Sequence, residues 1–154
     1  MRTIDTAALE AATRAAQASP RGRKNVNLHR DEADPSQRLL NAIEPRSYVP
    51  PHCHADKDET ITVLRGRLGV VTFDPAGTPG EARVVGPAEQ VLAVTLPAGT
   101  LHSVVSLAEG TVFFESKAGP YRPLEPGEKV GWAPAEGDPQ AGPYLEELRA
   151  LFQA

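Results

Sequence analysis

The chain has 154 residues, including 13 Gly and 15 Pro, and a formal net charge of −4 from 16 basic and 20 acidic residues. This Gly and Pro content argues against a helical bundle, because both residues disrupt helix interiors, and the acidic balance argues against nucleic acid as the main partner. No apolar run approaches the roughly 20 residues of a membrane helix. The first residues lack a secretory apolar core, and a single cysteine suits the cytoplasm. We therefore expect a cytoplasmic protein that binds neither nucleic acid nor membrane.

The N-terminal part is expected to combine a helix and a basic arm. Residues 5–18 are rich in alanine and predict a helix that Asp5 or Thr6 can cap. A basic stretch, residues 21–30, follows against the acidic background. Residues 1–36 are thus the first of three parts of one domain.

The second part, residues 37–118, has a β pattern. Short apolar runs alternate with turn residues, which is typical of a sandwich or barrel of seven or eight strands. The predicted strands cover residues 39–43, 48–54, 60–64, 68–73, 83–85, 91–96, 102–107 and 111–116.

The third part, residues 119–154, is predicted to cover the barrel. Residues 119–143 are rich in Gly and Pro, and a long structureless loop is unusual in a compact domain, so an ordered covering segment is expected. Trp132 is expected to anchor it or to form a subunit contact. Residues 143–152 predict a short closing helix with proline in its first turn.

Four side chains form a candidate metal site. His52 and His54 lie two residues apart in a predicted strand, so both point to one face and Cys53 to the other. Glu59 follows shortly, and His102 begins a later strand. Three imidazoles and a carboxylate suit a divalent transition metal and leave positions open for water or substrate. We predict one such metal per chain, with iron, manganese, nickel and zinc all admissible.

The alternative is that these histidines are scattered surface or core residues, since a lone His-x-His pair arises easily by chance. The context argues for a site. Residues 51–59 followed by Gly66 resemble the first cupin motif, and Pro97-Ala98-Gly99-Thr100-Leu101-His102 resembles the second. Arg46 and Ser106 stand where the general motifs have glycine and asparagine, and neither position supplies a ligand.

The chain more narrowly resembles the WbuC-type cupin-fold metalloproteins. The likeness runs from the basic residues 21–30 through residues 37–42, 47–49 and the histidine cluster to residues 114–121. It implies an all-β, single-domain jelly-roll barrel, here with an N-terminal helix and a short C-terminal helix. It further implies that the four ligands point into the open mouth, and it suggests a link to bacterial surface polysaccharides.

Basic and histidine residues near the barrel are candidates for substrate binding. His29 could approach the metal pocket or be a surface or capping residue. Arg21 and Arg23, with neighbouring Lys24, could hold a phosphate or carboxylate or form a solvated charge run. Arg38 could serve the same purpose from the first strand.

Several other residues are candidates for acid–base chemistry. Tyr48 and Tyr121 could transfer protons near a metal, as could Glu59, although packing is the alternative for the tyrosines. Glu115 could face inward as a buried carboxylate or outward, and parity leaves this open. Lys57 and Lys117 are expected to be surface charges.

Two functions follow from this site. The first is a metal-dependent enzyme acting on a small polar, sugar-like substrate by isomerisation, epimerisation or oxygenation. The second is a non-catalytic module that binds a small molecule through a metal anchor. Exposed barrel edges make a homodimer the expected assembly.

Overall fold

The structure is a computed structural model, and it describes residues 1–153. Eight antiparallel strands form two sheets that enclose one apolar core, with one helix near each end of the chain. The elements are α1 (Thr6–Ala18), β1 (Arg23–Asn27), β2 (Ser36–Ile43), β3 (Glu59–Arg65), β4 (Leu68–Phe73), β5 (Pro79–Val85), β6 (Ala93–Leu96), β7 (His102–Ser106), β8 (Thr111–Ala118), a 3-10 turn (Pro126–Glu128) and α2 (Ala141–Ala150).

The first sheet has the order β1-β2-β8-β3-β6, and the second has the order β5-β4-β7. Apolar side chains from both sheets meet between them, among them Ile61, Leu68 and Phe113. This arrangement confirms the predicted all-β barrel with a helix at each end.

The outer surfaces of both sheets are covered by the helical ends of the chain. Asp5 caps α1 by accepting a hydrogen bond from the Ala8 amide at 2.9 Å. Ala12 and Ala16 of α1 pack on the outer face of β2. The α2 helix and Trp132 of the covering segment pack on the second sheet, where the Trp132 ring lies 5.2 Å from that of Phe73. The predicted anchoring role of Trp132 is thereby confirmed.

The turn between β3 and β4 depends on a glycine that the sequence pattern singled out. Gly66 has a φ of +80°, and an added Cβ would lie 2.8 Å from the Thr111 Cα. Both the backbone conformation and the close approach exclude a larger residue. Gly66 thus closes the turn that follows β3, the strand that begins with Glu59.

The structure corrects two element predictions. The basic arm contains β1, which pairs with β2, so the barrel sheet begins before residue 37. Residues 48–54 do not form a strand: only His52 makes isolated bridges, to His102 and Lys129. Pro50 and Pro51 lie within this segment and Pro45 precedes it. Because proline has no N–H, these residues cannot donate the backbone hydrogen bonds of a regular strand.

No helix within residues 1–153 is long and apolar enough to cross a membrane.

Candidate metal centre

The four predicted ligands line one cavity of about 340 Å³ between the sheets. Glu59 begins β3 and His102 begins β7, while His52 and His54 come from the extended segment between β2 and β3. The structure therefore brings together all four side chains that the two motifs singled out.

Backbone pairing places the histidines next to each other. The His52 amide donates to the His102 carbonyl at 3.0 Å, and the His102 amide donates to the His52 carbonyl at 2.9 Å. The Nδ1 atoms of these rings lie 2.9 Å from the carbonyls of Pro50 and Thr100, respectively. Because a carbonyl oxygen only accepts, Nδ1 carries the proton and Nε2 is left as the donor atom for a metal.

The rings and the Glu59 carboxylate surround a common space. The ring centroids of His52, His54 and His102 lie 4.6 to 6.1 Å apart. The Glu59 oxygens lie 3.0 Å from the His102 Nε2 and 3.5 Å from the His54 Nε2. Ligand atoms at about 2.1 Å from one ion and at right angles to each other are about 3.0 Å apart. The donor types suit a divalent transition metal, and the separation of Glu59 from the His102 Nε2 matches that of adjacent ligands.

The protonation states also suit ligation. Burial, assisted by the neighbouring His102, lowers the pKa of His52 to about 4, so the ring is neutral at pH 7. Burial opposes ionisation of Glu59, but its close contacts with His102 and His54 and the Lys117 charge hold its pKa well below the usual range. Neutral imidazoles and an ionised carboxylate are the forms that bind metals.

A lysine ammonium occupies part of the space between these donors. The Lys117 Nζ lies 3.0 Å from Glu59 Oε1 and 3.3 Å from His54 Nε2. As they stand, no three His, Cys, Asp or Glu side chains within residues 1–153 are positioned to hold a metal ion. A metal held by His54 and Glu59 would have to displace the Lys117 ammonium from these two side chains. The surface position expected for Lys117 is wrong: its side chain is only 18% exposed and lines the cavity.

Glu115 offers the lysine a second partner. The Lys117 Nζ lies 2.6 Å from Glu115 Oε1, and Asn41 donates to the other Glu115 oxygen at 3.0 Å. Burial and the nearby Glu59 carboxylate raise the pKa of Glu115 to about 7. The parity that the sequence left open is resolved, because Glu115 lies opposite Leu39 and faces inward.

Residues of the covering segment form hydrogen bonds with the backbone on both sides of His54. The Cys53 amide donates to the Glu128 carbonyl at 2.9 Å, and the Ala55 amide donates to the Glu128 carboxylate at 2.7 Å. Arg122 binds the same carboxylate at 2.7 Å and also binds Asp56. These contacts fix the backbone on both sides of His54.

The mouth of the cavity carries basic side chains. Arg21, Arg23 and Lys24 line it, in agreement with their predicted place at the barrel mouth. Arg21 and Arg23 both bind Glu136 of the covering segment, at 2.7 and 2.9 Å. Arg23 also donates to the Tyr48 carbonyl at 2.9 Å. The two arginines thus join the mouth to the covering segment, and Lys24 follows Arg23 in β1.

Two residues predicted for chemistry lie away from the histidines. The Tyr48 hydroxyl donates to the Pro134 carbonyl at 2.8 Å, and its ring packs on Tyr144, which favours packing over proton transfer. Arg38 is exposed and binds Asp34 at 3.4 Å on the outer side of β2, so it does not reach the cavity.

His29 and Tyr121 line a neighbouring cavity of about 370 Å³. His29 is buried, with its Nδ1 3.0 Å from the Arg38 backbone, and it is not among the residues lining the histidine cavity. Tyr121 is 54% exposed. Tyr121 also lines a smaller cavity together with His54 and Lys117.

The sequence interpretation missed several polar residues of the inner face. Asn25, Asn41 and Lys117 line the histidine cavity alongside Glu115. Their signal is period two: polar residues recur at alternate positions of β1, β2 and β8, where a core strand would present apolar side chains.

Solved structures with low sequence identity share this fold. KdgF from Halomonas sp. matches with a TM-score of 0.53 and 20% identity over 68% of this chain and 85% of that chain. The Cnp3 cupin domain of Schizosaccharomyces pombe gives 0.50 and 12% over 62% and 64%. An oxalate oxidase in complex with the substrate analogue glycolate gives 0.51 and 19% over 66% and 52%, so this chain spans about half its length.

These likenesses show a cupin fold. No curated protein matches the chain, and the narrower likeness to the WbuC-type proteins remains a prediction. One family model does match, and it covers residues 4–85, more than half of the chain. The chain therefore belongs to the family described as a domain of unknown function, DUF6016.

Proposed function

We propose that the protein binds one divalent transition metal through His52, His54, Glu59 and His102 and acts as an enzyme on a small polar, sugar-like molecule. The observation that carries this proposal is the convergence of three imidazoles and one ionised carboxylate on one cavity. Two of the rings have Nδ1 engaged by a backbone carbonyl, which is the outer contact that orients metal-bound histidines.

A bound metal would polarise a carbonyl or hydroxyl group or activate water or dioxygen. The chain's own groups suit proton transfer beside it. Lys117 holds protons at Nζ beside Glu115, and the pKa of Glu115 is raised to about 7 by burial and by the nearby Glu59. Isomerisation or epimerisation at a carbon next to a carbonyl needs such a pair.

Substrate capture is assigned to the mouth and walls of the cavity. Arg23 and Lys24 attract an anionic or strongly polar group, while Ile61, Val104 and Phe113 form apolar walls that limit water. The related fold of oxalate oxidase holds glycolate, which is a small polar molecule. This likeness supports a small polar ligand for the present cavity.

The second candidate is a binding module in which a metal anchors a small ligand without turnover. The placement of Tyr48 away from the histidines favours it, because one of the candidate acid–base groups is lost. The homodimer, the cytoplasmic location and the link to surface polysaccharides stay predictions.

The two candidates are separated by turnover. Metal-loaded protein is incubated with a panel of sugars and sugar acids, and products are followed by NMR. Conversion that disappears in Lys117→Met but survives in Lys57→Met supports the enzyme. Tight binding of a panel member without conversion supports the binding module.

A further inference from the structure

A second cavity adjoins the candidate metal centre. It has a volume of about 370 Å³, and we name it the amide pocket because Asn25, Asn27, Gln37 and Asn41 line it. Asn25, Asn41 and Glu115 also line the histidine cavity, so the two spaces are contiguous.

The strand register explains how the amide pocket arises. Asn25 pairs with Asn41, Asn27 pairs with Leu39, and Leu39 pairs with Glu115. Directly paired residues of antiparallel strands point to the same face. The amide pocket therefore lies on the inner face of β1, β2 and β8. That face continues beyond the apolar core, and Asn25 and Asn27 remain exposed there.

Hydrogen bonds within the protein orient the side-chain amides of the pocket before any ligand binds. Asn41 donates to Glu115 at 3.0 Å, Asn25 donates to Asn27 Oδ1 at 2.7 Å, and Gln37 donates to the Asp34 carbonyl at 2.8 Å. An amide has one acceptor oxygen and two N–H donors. These bonds leave the side-chain oxygens of Asn25 and Asn41 and the NH₂ group of Asn27 without a partner within residues 1–153.

The amide pocket offers an anion no lysine or arginine side chain among the described residues that line it. Glu32 and Glu115 are two of these residues. The mouth of the histidine cavity is the opposite, with two arginines and a lysine. The exposed Tyr121 ring adds an aromatic surface, on which the C–H face of a sugar packs.

We propose that the amide pocket is a binding subsite for an uncharged polyhydroxylated group, such as one monosaccharide unit. This inference rests on the proposed function, because the group bound in the amide pocket is a second part of the same sugar-like ligand. The ligand then spans two spaces, with its reacting group at the histidines and its hydroxylated unit held by Asn25, Asn27 and Asn41.

The test uses methyl α-D-glucoside, α-D-galactoside and α-D-mannoside as probes with ¹⁵N-labelled full-length protein. We expect saturable shifts of the side-chain amide signals of Asn25, Asn27 and Asn41 with at least one glycoside. Asn27→Leu should weaken that binding at least about fivefold, because an exposed donor is replaced without disturbing the core. Gln90→Leu, which removes an exposed amide elsewhere, should leave it unchanged.

Three outcomes would overturn the subsite. These are unmoved amide signals at high glycoside concentration, equal binding by Asn27→Leu, and tighter binding of D-glucuronate than of every glycoside. His102→Ala separates this test from the metal proposal. The glycoside should still bind to that variant, and loss of binding there would also contradict an independent amide pocket. Wild-type protein that binds glycoside but no metal would refute the proposed function and leave the subsite standing.

Discussion

The inner face of the five-stranded sheet has two ends that are built from the same strands and differ in chemistry. At one end Ile43, Val63 and Phe113 pack into the apolar core. At the other end, two to four residues along the same strands, Glu59, Glu115 and Lys117 face a cavity. Burial of the first end stabilises the fold, while the second end buries charges at a cost and so indicates a function.

The largest expected effect on stability comes from the apolar end. Leu68 is fully buried opposite these strands, and Leu68→Ala should lower the free energy of unfolding by about 2–5 kcal/mol. Urea denaturation measures this loss. The folded variant should bind metal like the wild type, and loss of metal from folded Leu68→Ala would show that the two ends are not separate.

Removal of a ligand should have the largest effect at the polar end. His102→Ala should weaken metal binding by more than the roughly 100-fold that loss of an outer contact costs, while the circular dichroism spectrum stays that of the wild type. Calorimetric titration with Co²⁺ measures the affinity.

His29→Ala is the matched control for His102→Ala. It removes a buried histidine that lines the amide pocket and not the histidine cavity. The metal content should be unchanged. A variant stripped of metal would mean that the ligand set is wrong.

Lys117→Met should strengthen metal binding, whereas His102→Ala weakens it. The ammonium lies within 3.3 Å of His54 and Glu59, so its removal should tighten Co²⁺ binding by roughly tenfold, about 1.4 kcal/mol. The same change should lower the melting temperature of the metal-free protein, because two buried carboxylates lose their cation. Lys57→Met, whose ammonium binds the Pro120 carbonyl, serves as the control; unchanged affinity in Lys117→Met would contradict the account.

Glu128→Gln should have the smallest effect. Glu128 supports the histidine segment through the Ala55 amide without touching a ligand, so metal binding should weaken by less than about tenfold. The Arg122 guanidinium holds the pKa of Glu128 below its usual 4.5. Its contribution to stability is therefore present above that value and lost as the pH falls.

The pH dependence distinguishes Glu128→Gln from a general loss of packing. The variant should lose less stability than the wild type between neutral and acidic pH, as measured by thermal unfolding. Glu125→Gln, an exposed neighbour, should retain the wild-type profile. A wild-type profile in Glu128→Gln would contradict the supporting role.

The sequence predicted the apolar end better than the polar end. The β4 strand was predicted at its observed bounds, because a short apolar run between two turns determines it locally. The segment around His52 was predicted as a strand but pairs only through isolated bridges, since its partners come from β7 and the distant covering segment. Pairing between segments so far apart leaves no local pattern.

The spacing of the two motifs identified the four candidate ligands. Lys117, in contrast, was predicted to lie at the surface. Its position became clear only when β8 was placed between β2 and β3, which puts Lys117 opposite both Gln37 and Glu59. Register across strands, and not the sequence near Lys117, decides that its charge is buried. The same register could have identified Asn25, Asn41 and Glu115 once the strand order was known.

The central claim is that the polar end holds a metal, and its stoichiometry is the most direct test. Protein purified without a metal-affinity tag is analysed for transition metals, then stripped with a chelator and titrated with Fe²⁺, Mn²⁺, Ni²⁺ and Zn²⁺. The account predicts close to one ion per chain in the purified protein and one rebinding site that His102→Ala abolishes. Protein that contains no transition metal after purification and binds none of the four ions would contradict this claim.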